Sequence, residues 1–149
     1  MSRRRAVAAD QDDYQGAPGT LSRKQVLDAI RRRTSLRDAD VRGLDLSGLN
    51  FDGMDLAWAK FAEANLSSCT FRNADLSGAS MWSANLQDAV LDGAVLENAD
   101  FDLANLDGCT VKGARIKKAI FPFANVKMDD VERAVRNGGR LRMDPIDLD

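Results

Sequence analysis

Histidine is absent from these 149 residues, while cysteine occurs twice, proline three times and tyrosine once. The missing histidine removes the commonest acid–base group and metal ligand. Two cysteines without a histidine form neither a nucleophile pair nor a zinc site. No glycine-rich phosphate loop occurs. Paired carboxylates such as Asp100 and Asp102 are expected on a convex, solvated face rather than in a concave, water-poor site. The chain therefore reads as a non-enzyme, with no catalytic residue, cofactor or metal. No charged-then-apolar leader and no long apolar run are present, so neither a secretory signal nor a membrane span is expected.

What the chain has is a period. From Ala39 to Met128 it repeats every five residues through eighteen unbroken blocks. The third position is always a medium or large apolar residue, from Val41 and Leu46 through Phe71 and Leu86 to Val126. The first is nearly always small, with Leu44, Leu49 and Met54 as early exceptions. A continuous helix would rotate successive blocks by about 140° and smear the apolar positions around it. A plain strand would send them to alternate faces. A chain that turns a corner in every block satisfies both positions, because the first and third residues then point inward. Four corners close a coil, so residues twenty apart should stack.

The glycines support the corners. Seven of the eleven lie in the repeat, and all seven, from Gly43 to Gly113, occupy the fifth position. Asn73 and Asn98 stand there too. A corner residue with positive φ is cheapest as glycine and next most tolerable as asparagine.

Blocks such as Ala74-Asp75-Leu76-Ser77-Gly78, Ala84-Asn85-Leu86-Gln87-Asp88 and Ala104-Asn105-Leu106-Asp107-Gly108 resemble the A(D/N)LXX motif of pentapeptide-repeat proteins. The resemblance covers about three fifths of the chain. It implies an all-β solenoid, a right-handed quadrilateral parallel β-helix, and membership of a family of mostly non-enzymatic binding proteins.

Stacking in steps of twenty predicts columns of inward residues, among them Phe51 over Phe71 and Leu86 over Leu106. At about 4.8 Å per coil the rod should be roughly 22 Å long. Asp45, Asn65, Asn85, Asn105 and Asn125 form a second-position column whose amides are expected to bond up and down as a ladder. Cys69 and Cys109 stand two coils apart, about 9.5 Å, beyond the reach of a disulfide. They are expected as two free, buried thiols, which fits a reducing, cytoplasmic setting.

Residues 1–20 read as a disordered arm and 21–38 as an N-terminal capping helix and lead-in. Residues 39–128 read as the β-helix, and 129–149 as a C-terminal helix and tail. Ser22 and Gln25 have capping-box spacing, with Val26, Leu27 and Ile30 expected on the buried side of a helix over 23–33. Leu36 centres a degenerate opening block. Asp129 and Glu132 repeat the capping logic, and Gly138 is the expected stop. The last ten residues should pack on the rod or dock on another chain.

Charge is segregated. Between Asn73 and Thr110 there are seven acids and no base: Asp75, Asp88, Asp92, Glu97, Asp100, Asp102 and Asp107. Lys112, Arg115, Lys117 and Lys118 follow. The acids are explained by solvated turns. Alternatively, the family resemblance implies DNA mimicry: a rod-like dimer occupying the DNA site of DNA gyrase, as in fluoroquinolone resistance or toxin immunity. Direct nucleic-acid binding is not expected, because no aromatics interleave the Arg3–Arg5 and Arg31–Arg33 clusters. Outward apolar residues point elsewhere. Trp82, Leu103, Ile120, Pro122 and Phe123 share one wall, and Trp58 holds the adjoining corner. Such a patch calls for a partner: the chain's own C-terminal helix, a second copy, or another protein. The result is a small cytoplasmic, bacterial binding or scaffold protein. The alternatives are a topoisomerase-directed mimic and a component of a larger assembly.

Overall fold

The computed structural model describes residues 19–145. The expected disordered arm falls almost wholly outside the described residues, as do Ile146 and Leu148 of the tail. Thr20, assigned to that arm, is buried.

Parallel bridges join second-position residues twenty apart, from Asp40 with Lys60 to Asp100 with Ile120. A turn follows each bridge, so one coil takes twenty residues and four turns. Successive coils are tied by the same bonds each time. Leu66 N donates to Asn85 O at 2.7 Å, Ser68 N to Gln87 O at 2.8 Å, and Asn85 N back to Ala64 O at 3.0 Å. This is a β-helical solenoid. Each coil lends the next its backbone partners, so a strand of two or three residues is stable here that would not persist alone.

Inside, the first and third positions form one continuous core running from Val26 to Leu141. Phe51 and Phe71 stack face to face, and Phe61 meets both edge-on at 6.2 Å. Small first-position residues let the walls close on these rings. Fifth-position residues from Asp38 to Lys118 take positive φ, whether glycine, as at Gly78 (66°), or not, as at Glu63 (62°) and Asn73 (58°).

The coil begins and ends earlier than the pentad count. Leu36 is already buried, Asp38 already turns at φ 62°, and Leu36 N donates to Asp55 O. At the other end regular coiling stops at Phe121. Pro122 O accepts from Asn125 N and Val126 N, both at 3.1 Å, and so turns the chain inward instead of bonding to Leu103 N. Phe123, a fifth-position residue by count, therefore has no left-handed φ, and Asn125 leaves its expected column. Val126 nevertheless remains in the core.

Two helices lie at the ends. α1, Arg23–Arg32, carries the capping box of Ser22 and Gln25. It buries Val26 and Ala29, with Ile30 packed alongside; Leu27, expected inside, is not buried. α2, Met128–Asn137, buries Val131 and Ala134. Its N-cap is Lys127 with no side-chain cap bond, so the capping logic expected of Asp129 and Glu132 is not realised. Asp129 and Asp130 instead place negative charge against the N-terminal dipole. After α2 the chain folds back as an antiparallel segment: Leu141 N donates to Cys109 O and Gly108 N donates to Leu141 O, both at 2.7 Å.

The second-position column is not a continuous amide ladder. One rung exists, Asn105 Nδ2 to Asn85 Oδ1 at 3.4 Å. The general role is local. Asn65 Oδ1 accepts from Ser67 N, Asp75 from Ser77 N and Asn105 from Asp107 N. Each Asp or Asn closes its own corner by bonding two residues on, which both carboxylate and carboxamide can do.

Candidate interaction surface

The second-position column Lys60, Ser80, Asp100, Ile120 marks one side of the solenoid. Trp82 follows Ser80 by two residues, Leu103 follows Asp100 by three, and Phe123 follows Ile120 by three. Each belongs to a successive coil, so they rise along this one side, Leu103 and Phe123 at the same position by count and Trp82 one position earlier. Trp58 lies on the preceding corner, and its ring covers the backbone of Gly78, occupying the space a β-carbon would need. Gly78 lies two residues before Ser80, so the Trp58 ring lies one coil up from its own backbone and close to the start of the Trp82 side.

All five of these large apolar side chains are exposed, Leu103 at 60% and Phe123 at 67%. Pro122 is not one of them: it is buried under the inward turn, so its expected place in the contact surface is corrected. The acid Asp102 lies between Phe101 and Leu103 and is exposed, and Asp100 Oδ1 is turned to its backbone N–H at 2.9 Å. An apolar centre with charged flanks is the usual composition of a protein contact.

Two of the apolar residues sit in a conformation that disfavours them. Trp58 has φ 62° and Leu103 φ 61°. A bulky L-residue in the left-handed region is strained by about 1–2 kcal/mol. The neighbouring corners Gly43, Gly48 and Gly53 avoid that cost. The strain at Trp58 and Leu103 is not offset by burial, since both are half exposed or more.

Among the described residues, no element of the chain covers this side. The antiparallel segment bonds to Asp107, Gly108 and Cys109, and α2 reaches Gly113 through Val135 O. Leu103 and Phe123 stay bare among the described residues.

The seven acids do not gather into a strip. Counted in steps of five from the bridged columns, they fall on all four sides of the coil. Asp100 and Asp102 share one side, Asp88 and Asp107 the next, Asp92 the third, Asp75 and Glu97 the fourth. Glu97 pairs with Arg115 at 3.2 Å, Asp88 with Arg140 at 3.6 Å and Asp107 with Arg142 at 3.9 Å. The two arginines of the returning segment were the residues that sequence reasoning missed. Their charges lie thirty or more positions from the acids they meet.

Both thiols are free and buried. Each donates to a carbonyl of the adjacent coil, Cys69 to Leu46 O at 3.0 Å and Cys109 to Leu86 O at 2.9 Å. Burial pushes Cys69 up to about 11 and Cys109 to about 12. Neither is poised as a nucleophile. Among the described residues no cluster of three or more metal-ligating side chains occurs, and no helix is long and apolar enough to cross a membrane.

A family model described as a pentapeptide repeat region matches residues 44–121. Among solved structures, a pentapeptide repeat protein from Nostoc Pcc 7120 is 29% identical. The match covers 80% of this chain and 97% of that one, with a TM-score of 0.68. A pentapeptide repeat protein of the Arabidopsis thaliana thylakoid lumen is 39% identical, with a TM-score of 0.50. That match covers 50% of this chain and 52% of the plant protein, so this chain spans about half its relative's length. QnrB1, a plasmid-mediated fluoroquinolone resistance protein, aligns at 22% identity and a TM-score of 0.32, too little overlap to carry an argument. No curated protein sequence matches. The matched span is more than half of the chain, and it ends where Pro122 breaks the coil: this chain belongs to the pentapeptide repeat family.

Proposed function

We propose that this chain is a non-enzymatic binding scaffold that docks another protein on the side bearing Trp58, Trp82, Leu103, Ile120 and Phe123. The observation that carries the reading is Leu103. A leucine held at positive φ and left exposed raises the energy of the free protein, and a contact that buries it would offset that cost. The rest of the scaffold suits docking. Its core is continuous and its coils are tied on every side, so little conformational entropy is lost on binding.

In this reading the four turns per coil form a right-handed quadrilateral, and α1 and α2 act as end caps. Arg23 Nε donates to Asp45 O at 3.1 Å and Arg33 donates to Asp52 O at 2.9 Å, which supports capping at the first coil. Two unpaired thiols agree with a cytoplasmic setting.

The test is the double variant Leu103→Ser with Phe123→Ser, compared with the parent by sedimentation mass and by capture from native lysate. The reading requires that either a homodimer or a captured protein be lost while the circular dichroism spectrum is kept. If mass and capture are both unchanged in a folded variant, this side is not the contact surface.

A further inference from the structure

One side of the last coil is an unpaired edge. In the coil beneath it, Leu96 N donates to Arg115 O at 2.7 Å, Asn98 N donates to Lys117 O at 3.1 Å, and Ala94 O accepts from Arg115 N at 2.9 Å. The equivalent groups one coil up are Ile116 N, Lys118 N and Ala114 O. None has a partner among the described residues. At several other places at the two ends the chain supplies its own cover. Leu21 N donates to Asp40 O, Arg33 reaches Asp52 O, and Leu141 pairs with Gly108 and Cys109.

We infer that the edge at residues 114–118 binds an extended acidic segment of another protein, added as one further strand. Three observations select this occupant. The first is continuity. The returning segment already shows that this end of the solenoid accepts an added antiparallel strand, with Thr110 bridged to Arg140. The open edge starts at the next corner along, Gly113.

The second is charge. Lys117 and Lys118 are exposed, and neither forms an ion pair among the described residues. A second copy presenting the same edge would bring the same lysines against them, which is unfavourable; an acidic strand would not.

The third is the inward side chain. Ile116, which in lower coils would be roofed by the next residue of its column, is only partly buried. An apolar residue alternating with acids would cover it while its carboxylates face the lysines. Main-chain bonds would then supply affinity and side chains selectivity.

This site is separate from the apolar side bearing Leu103 and Phe123, and neither needs the other. The test uses the full chain and two labelled seven-residue peptides, one alternating Asp and Val, the other alternating Asp and Pro. Both carry the same charge, but proline cannot donate to a strand. The Asp–Val peptide is expected to bind saturably and to slow hydrogen exchange at the Ile116 and Lys118 amides. Lys117→Ser with Lys118→Asn should weaken it about tenfold, mainly through lost charge attraction. Ser77 and Asn98 fill those same columns lower down, so the variant keeps residues the fold already accepts. Leu103→Ser with Phe123→Ser should leave peptide binding unchanged.

Equal binding of the Asp–Pro peptide would overturn the inference, since charge alone would then account for it. So would unchanged exchange at Ile116 and Lys118, loss of peptide binding in the Leu103 and Phe123 variant, or a self-association that the Asp–Val peptide cannot displace.

Discussion

The rings of Phe51 and Phe71, twenty residues apart in the chain, lie parallel with their centroids 5.1 Å apart and their planes 5° from each other. The same relation joins Phe101 and Phe121 at 5.5 Å. One coil is thus one ring thick, and a side chain removed from the stack leaves a hole roofed and floored by rigid neighbours. Phe71→Ala is expected to cost about 3–5 kcal/mol in urea unfolding, and Phe71→Leu much less, because leucine fills the third position in many other blocks.

Glycine is favoured at Gly78 for two reasons and at Gly53 for one. Both have positive φ, but a β-carbon at Gly78 would run into the Trp58 ring, while at Gly53 it would meet nothing. Gly53→Ala should cost about 1 kcal/mol, from backbone strain alone. Gly78→Ala should cost measurably more, and Trp58→Gly should remove the excess in a double-mutant cycle.

Leu103→Gly should stabilise the free protein by about 1 kcal/mol, by relieving the left-handed strain. If Leu103 serves binding, the same change weakens the partner complex. A raised Tm with reduced capture is the expected pair of results, and a raised Tm with full capture would remove Leu103 from the contact.

The hydroxyls of Thr70 and Thr110 are buried without a hydrogen-bond partner, and Val90 holds the same column between them. Thr70→Val keeps the shape and removes an unsatisfied group, so it should be neutral or stabilising by up to about 1 kcal/mol in thermal unfolding.

Acid should loosen the corners. A side-chain bond from Arg42 holds the Asp40 carboxyl below its ordinary 3.8, and one from Ser47 does the same for Asp45. Because these folded-state values are lowered, the stability they contribute is complete above about pH 4 and is lost as pH falls below it. Asp45→Asn keeps the local bond and does not titrate, so it should flatten the acid limb of a stability profile and leave neutral stability nearly unchanged. At the other extreme both thiol values are raised above 9.0. Their contribution is complete below about pH 9 and is lost as pH rises toward 11 and 12. Cys69→Ala with Cys109→Ala should remove that part of the alkaline limb.

The pentad period was enough to specify the coil, the inward columns, the buried thiols and the left-handed fifth positions. Those features depend only on local alternation and on which residues tolerate positive φ, and both are written in every block. The same periodicity overran the real end of the coil, because Phe121 to Val126 still look like repeat residues. Pro122 O, bonded to Asn125 and Val126, decides the matter through a local turn that no spacing reveals. The expected amide ladder gave way to Asx corners for a similar reason. A bond two residues away forms at less entropic cost than one to the next coil.

The surface was less legible than the core. Seven acids adjacent in sequence look like one patch, but a chain that turns every five residues distributes neighbours over every side. Residues far apart, such as Asp107 and Arg142, then become partners. The apolar side was visible as outward positions, while the burial of Pro122 depended on its local turn and the open edge beside Ile116 on where the returning segment lay down. Short-range repetition therefore dictated the interior of this protein, and only the long-range course of its C-terminal end settled which backbone groups and side chains remain bare.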